Sequence, residues 1–348
     1  MQITEHTTVG DLKAYRQTAP DVARALDMCC PPALWEAQNE LTLRKLEKSR
    51  FSLLQAALNA TLPAIEAGRR TVLELYSAEE IRRDPGRENV RMLFYPGRAG
   101  APFVVILPGG GYTMVAMCEE GIPAARAFSA LGYNAFVLRY RIRETGLLPK
   151  PMDDLNRAVD CIAARSGELG VDGGRYAVAG FSAGGYLAGL WCGTPHGFAA
   201  YGQRRPETVI GAYPLISLSH KALMAREGMG NARNLFQARR VVEMLCGPDA
   251  GAEQWAEYDA DRGIGPDCPP VYLIHGDMDN VVYFRHSELL ARALEKQGIP
   301  HVLRLVENAG HAFGDGAGTG AEGWIADAAA FWRRQAGGTE PGADGGRR

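Results

Sequence analysis

Seven short apolar runs recur between residues 90 and 306, at 90–95, 103–107, 134–140, 176–179, 209–213, 270–274 and 301–306. Segments with helical spacing lie between several of them, at 122–131, 152–165 and 287–297, and another follows at 324–335. Near-continuous apolar runs of this length suit strands covered on both faces, and long helical crossovers are what parallel neighbours require. The pattern predicts an α/β architecture, a mostly parallel central sheet with helices on both faces. In such sheets functional groups belong at the carboxyl ends of the strands.

One strand end carries a pattern of its own. Tyr176-Ala177-Val178-Ala179 runs into Gly180-Phe181-Ser182-Ala183-Gly184, and Gly185-Tyr186-Leu187-Ala188-Gly189-Leu190-Trp191 then reads as a helix. A turn this sharp would bring side chains at 180 and 184 into collision, which accounts for glycine at both. Ser182 is left pointing out of the sheet edge, the setting of an activated hydroxyl that attacks an acyl carbon. A glycine-rich turn at the head of a helix would show the same five letters. The reading therefore depends on a base, an orienting carboxylate and an oxyanion hole elsewhere in the chain.

When a serine works on such a turn, the carboxylate and then the histidine follow it in sequence. Four of the histidines that follow it stand in plausible sequence context: 275, 286, 301 and 311. His311 lies in Asn308-Ala309-Gly310-His311-Ala312-Phe313-Gly314, a glycine-flanked loop past the last strand, where an imidazole can lean over the turn. It is the candidate base. His301 opens a strand and His286 falls in the first turn of a helix, so both read as structural or solvent-facing. The carboxylate is sought in His275-Gly276-Asp277-Met278-Asp279-Asn280-Val281-Val282, which follows a core strand. Asp279 is preferred because it lies further into the loop, with Val281 and Val282 able to pack down and fix its direction. Asp277 is the alternative, as a turn former whose oxygen bonds nearby amides. His275 ends the strand and is expected to pack or hydrogen-bond beneath the loop. An oxyanion hole needs backbone N–H groups. One is expected from Ala183, the other from Leu107-Pro108-Gly109-Gly110-Gly111-Tyr112, where three glycines let the backbone approach a ligand.

The 348 residues, 46% of them hydrophobic, can bury a large core as one α/β domain with or without an appendage. A net charge of −2 and a pI near 6.4 give no electrostatic reason to expect nucleic acid or an anionic membrane as partner. The longest clean apolar stretches, about six residues, are far short of a membrane span. The first residues lack the basic and apolar stretches of a secretory signal. Seven cysteines, an odd number without C-x-x-C spacing, argue against a disulfide framework or a zinc site. A cytoplasmic protein is expected.

Residues 8 to about 68 have helical character without a strand signal, and residues 1–87 are expected to form a helical extension, a possible cap, before a catalytic domain at 88–335. The extension is equally compatible with a homodimer contact. Residues 216–262 are longer than one crossover needs and would sit above the strand ends. Residues 336–348, with five glycines and a proline, predict a disordered tail.

With these motifs in hand, the chain resembles the α/β-hydrolase superfamily over residues 88–335. The likeness is to the esterase/lipase group related to hormone-sensitive lipase and to bacterial acetyl-xylan and feruloyl esterases. It is carried by Pro108-Gly109-Gly110-Gly111-Tyr112, Phe136-Val137-Leu138-Arg139-Tyr140, Gly180-Phe181-Ser182-Ala183-Gly184-Gly185, His275-Gly276-Asp277-Met278-Asp279 and Gly310-His311-Ala312-Phe313. The resemblance implies Ser182 as nucleophile, Asp279 as orienting acid and His311 as base, with Gly110, Gly111 and Ala183 as oxyanion donors. It implies a small ester substrate, acetyl esters above all, with no metal or organic cofactor. Pro108 departs from the pattern, because that group usually carries histidine there to shape the loop. Tyr112, Met114, Tyr186, the 214–262 segment and the N-terminal helices are expected to wall the pocket. A peptidase of the same fold and a non-catalytic ligand-binding relative are the competing readings. The first is weakened by the lack of a propeller-like domain before the catalytic part, the second because serine, histidine and oxyanion glycines are all present.

Overall fold

The structure is a computed structural model that describes residues 1–68, 71–220 and 232–337, with the side chains of 232–238 left aside. Among these residues eight strands build one sheet: β1 (Thr71–Glu74), β2 (Arg91–Tyr95), β3 (Phe103–Leu107), β4 (Asn134–Arg139), β5 (Tyr176–Phe181), β6 (Thr208–Ala212), β7 (Val271–Gly276) and β8 (His301–Val306). Their spatial order is β1-β2-β4-β3-β5-β6-β7-β8. β2 is antiparallel to both β1 and β4, and all other pairs are parallel. Helices cross over between the parallel strands, among them Ile122–Ala130, Lys150–Ala164, Ser182–Cys192 and Arg285–Lys296.

Alternation along the strands assigns side chains to two separate cores. Val104, Ile106, Ala177 and Ala179 face the core that includes Trp324–Gln335 and the N-terminal helices. Phe103, Val105, Leu107, Tyr176 and Val178 face the one beneath Lys150–Ala164 and Ser182–Cys192. A slip of one residue in any central strand would exchange the two sets, so register is strongly fixed.

Five α-helical segments precede β1: Val9–Arg16, Pro20–Cys29, Pro32–Glu36, Leu43–Glu47 and Phe51–Glu66. In the longest, Phe51, Leu54, Leu58, Leu62 and Ile65 recur at helical spacing on a buried stripe. Each such side chain contributes on the order of 1.5–3 kcal/mol on burial. The stripe belongs to the same apolar core as Leu93 and Tyr95 of β2. The Thr61 hydroxyl is 2.6 Å from that of Tyr95, which adds a polar tie. The extension is thus packed against one sheet face.

One difference from the sequence reading stands out. Residues 1–87 are expected as a helical extension, yet within them Thr71–Glu74 pairs with β2 as an edge strand. Only Val72 and Leu73 of it are buried, too few to imprint a strand period. Within 216–262 the chain forms helices Ala232–Cys246 and Ala252–Glu257. The tail expected at 336–348 lies outside the described residues from 338 onward. No helix among the described residues is long and apolar enough to cross a membrane.

Candidate active site

β5 ends at Phe181 and the helix Ser182–Cys192 begins at the next residue. Ser182 sits at φ 50°, a left-handed conformation that a non-glycine residue adopts only when its surroundings enforce it. The enforcement is visible at the neighbouring glycines. A β-carbon on Gly180 would lie 2.3 Å from the Gly184 carbonyl oxygen, and one on Gly184 would lie 2.0 Å from that of Leu107. The turn closes only without those atoms. Ser182 consequently stands at the carboxyl end of β5, with the first-turn amides of the helix beside it.

The Ser182 Oγ lies 2.8 Å from His311 Nε2, and His311 Nδ1 lies 2.6 Å from Asp279 Oδ2. A carboxylate only accepts hydrogen bonds, so the imidazole proton resides on Nδ1 and Nε2 is free to accept from the serine hydroxyl. Asp279 is fixed from three directions. Its Oδ1 accepts from the amides of Val281 and Val282, each at 2.9 Å. Its Oδ2 also faces His275 Nε2 at 3.1 Å. Burial pushes the Asp279 carboxyl up, but the hydrogen bonds from His275 and His311 outweigh it and hold the group well below the usual carboxylate range.

Val281 and Val282 therefore orient Asp279 through their backbone amides, and the turn-forming role suggested for Asp277 falls to Asp279 as well. Asp277 Oδ1 is buried without a hydrogen-bond partner among the described residues and takes no part in the chain of contacts. His275 does more than pack. Its Nε2–H points to the Val282 carbonyl at 2.8 Å as well as to Asp279, and its Nδ1 lies 2.8 Å from the Ser287 hydroxyl. His286 is buried and accepts from the Ser217 amide. His301 bonds the Ile299 carbonyl.

The loop after β3 passes close to the serine. Gly110, Gly111 and Tyr112 have φ of 118°, 58° and 60°, a run that turns the backbone sharply and turns successive peptide planes. The amides of Gly110 and Gly111 donate to no acceptor among the described residues. That of Ala183 belongs to a helix's first turn, whose donors have no intrahelical partner. Pro108, where the resembling group has histidine, receives the Tyr140 hydroxyl on its carbonyl at 2.6 Å. Glu120 accepts from the Gly109 amide at 2.5 Å, and the Tyr112 hydroxyl donates to the Ala183 carbonyl at 2.9 Å. The loop shape is thus secured by partners outside it.

Ser182, His311, Gly110, Gly111 and Ala183 open on a cleft of about 580 Å³. Tyr112 and Met114 line it, as the sequence predicts, although the Tyr112 ring is fully buried. Tyr186 does not line it. That ring is buried in the core beneath the elbow and its hydroxyl donates to the Tyr258 carbonyl. A helix residue four places after Ser182 lies on the turn beyond it and faces inward, which corrects its expected place in the wall. Leu215, Val241 and Met244 supply apolar wall from the 214–262 segment. Arg50, from the N-terminal helices, reaches the rim, where it bonds Glu119 at 2.5 Å.

The BD-FAE family model matches residues 93–294, more than half of the chain. The chain belongs to the BD-FAE family. A second match, to the dienelactone hydrolase family, covers residues 267–336. This BD-FAE chain is 28% identical over 208 residues to endo-1,4-beta-xylanase B of Butyrivibrio fibrisolvens, a stretch that is 57% of this chain and 30% of that protein. It is 26% identical over 233 residues to esterase LipC of Mycobacterium tuberculosis, 63% of this chain and 55% of that one. The chain thus spans about a third to a half of the length of these curated relatives. Among solved structures, an acetyl ester-xyloside bifunctional hydrolase from Caldicellulosiruptor lactoaceticus matches with a TM-score of 0.63 at 25% identity, over 77% of this chain and 96% of that one. The fold is the α/β-hydrolase fold.

Proposed function

We propose that the protein hydrolyses carboxylic esters of short acyl groups, acetyl-type esters first, through an acyl-enzyme formed on Ser182. The observation that carries this reading is the unbroken relay from Ser182 Oγ through His311 to Asp279, with contacts of 2.8 and 2.6 Å. As the serine oxygen bonds to the carbonyl carbon, its proton passes to His311 Nε2, and Asp279 stabilises the imidazolium that results. The carbonyl oxygen takes up negative charge facing the amides of Gly110, Gly111 and Ala183. Collapse breaks the bond to the alcohol oxygen, which leaves with the proton from His311. Water then repeats the sequence on the acyl-enzyme, releases the acid and restores the serine.

A relative named esterase and a structural neighbour named acetyl ester-xyloside bifunctional hydrolase support the reaction class. A reducing cytoplasm suits the chain, a reading supported by its seven free cysteines. A series of p-nitrophenyl esters from acetate to decanoate tests the substrate class. The expected kcat/KM is highest for acetate or butyrate and at least tenfold lower for decanoate. A maximum at octanoate or beyond would reject the short-acyl assignment, and inertness toward the whole series would reject the reaction class.

A further inference from the structure

Glu120 is a carboxylic acid with 3% of its surface exposed, close behind the elbow, and the reaction sequence above gives it no role. It lies in a single π-helical turn, Met117–Gly121, that interrupts the path from the oxyanion loop into the helix Ile122–Ala130. Such turns are rare and are frequently found at functional sites. Each carboxylate oxygen has one donor. Oε2 accepts from the Gly109 amide at 2.5 Å, and Oε1 accepts from the Tyr213 hydroxyl at 3.0 Å. Gly109 leads directly into the two amides that face the cleft, and a β-carbon there would sit 2.9 Å from both Ser182 Cβ and Glu120 Oε2.

Tyr213 extends the connection. It follows β6 with φ at 40°, a strained value for an aromatic residue. Its hydroxyl oxygen accepts from the Gly314 amide at 3.2 Å, in the loop that carries His311. Its ring stands edge-on to that of His311, with centroids 4.9 Å apart. The donors thus run in one direction, from Gly314 N–H to the Tyr213 oxygen and from Tyr213 O–H to Glu120, which also receives Gly109 N–H.

We propose that ionised Glu120 is a positioning residue that, through Tyr213, sets the oxyanion loop and the His311 loop in register with each other. The inference rests on the ester-hydrolase reading above and adds a residue that borders the cleft but acts through Gly109 and Tyr213, the partners that engage both of its oxygens. An ionised carboxylate only accepts, so it satisfies both donors at once. A protonated carboxyl must donate from one oxygen, and since the Gly109 amide can only donate, that proton turns toward Tyr213. One added proton therefore reverses the Glu120–Tyr213 bond and takes from the Tyr213 O–H the acceptor that fixes it.

Burial pushes the Glu120 carboxyl up to about 7, and the neighbouring Glu119 adds to the rise, against the opposing pull of the Gly109 amide and the Tyr213 hydroxyl. The other ionisable groups around it are Tyr140 after β4, Cys118 in the same turn, Arg50 from the N-terminal helices, which pairs with Glu119, and His311 beyond Tyr213. The sign follows from linkage. A carboxyl raised in the folded state binds its proton more tightly there than in the unfolded chain, so its ionisation costs stability as pH rises from about 4.5 to about 7.

Glu120→Gln and Tyr213→Phe test the proposal, assayed with p-nitrophenyl acetate beside wild type and Ser182→Ala. Both variants are expected to lose about ten- to a hundredfold in kcat, less than the loss of a direct oxyanion donor, with KM within about threefold. Glu120 must be ionised to hold the loops, so the acid limb of log kcat/KM is expected to be steeper in wild type than in Glu120→Gln. The melting temperature of Glu120→Gln should gain on wild type as pH rises from 5 to 8. A kcat within twofold of wild type in Glu120→Gln, or an acid limb of the same slope in both proteins, would overturn the proposal. So would a kcat loss matched by a lower melting temperature at pH 8. Should Glu120→Gln fail to fold, an unchanged kcat in Tyr213→Phe overturns it. With wild type active and Ser182→Ala inactive, any of these results removes the positioning role alone, whereas an inactive wild type removes the ester-hydrolase reading with it.

Discussion

Replacing Ser182 by alanine is expected to lower kcat for p-nitrophenyl acetate by about 10⁴- to 10⁶-fold, with little change in melting temperature. The size follows from the arrangement around the hydroxyl. Its oxygen is the atom that must bond to the acyl carbon, and its side-chain hydrogen bond runs to His311 Nε2. Removing it leaves the imidazole facing the cleft with nothing to deprotonate but water. The oxyanion amides survive, so a residual rate above the uncatalysed reaction remains. Stability should hold because Gly180 and Gly184, which permit the turn, are untouched and no cavity opens in either core. A variant that kept more than a tenth of the wild-type rate would discard Ser182 as nucleophile.

The second large effect is expected at Asp279. Its Oδ1 is engaged by two backbone amides and its Oδ2 by two imidazoles. In Asp279→Asn the amide oxygen will stay with Val281 and Val282, since only an oxygen can accept there. The NH2 group is thereby forced to face His311. His311 must then present a bare Nδ1 and carry its proton on Nε2, where it can no longer accept from Ser182. A loss of about 10⁴-fold in kcat follows from this wrong tautomer. The cost in stability should stay near 1 kcal/mol, because the Oδ1 bonds persist and His275 keeps the Val282 carbonyl. Since its hydrogen bonds keep the wild-type Asp279 ionised through the neutral and weakly acidic range, the acid limb of the pH profile does not arise from this group. Activity within tenfold of wild type in Asp279→Asn would show that another carboxylate orients the base, and Asp277 would be examined first.

These outcomes also mark where the chain could be read in advance. The elbow was legible because its constraints are local: a strand, five residues and a helix, with glycine wherever a β-carbon would strike backbone. His311 and Asp279 follow core strands, so the strand pattern led to their loops, but the choice between Asp277 and Asp279 turned on backbone amides that leave no trace in residue type. β1 was hidden because an edge strand with two buried residues has no period to show. Tyr186 was misplaced because its direction depends on how the elbow helix is rotated over the sheet. Glu120 was missed for the opposite reason. In sequence Glu119 and Glu120 look like ordinary acidic residues ahead of a helix, and only the π-helical turn separates one that meets Arg50 at the cleft rim from one that is buried behind the oxyanion loop at the cleft's edge. Long-range partners, not local propensity, decide which of two adjacent glutamates is buried.

The most direct test of the relay is covalent capture. The wild-type protein, incubated with a fluorophosphonate and digested, is expected to carry one phosphonyl group per chain, mapped by mass spectrometry to Ser182. The adduct should vanish in Ser182→Ala and form far more slowly in Asp279→Asn. An unlabelled wild type, or a label that resides on another serine, would contradict the account.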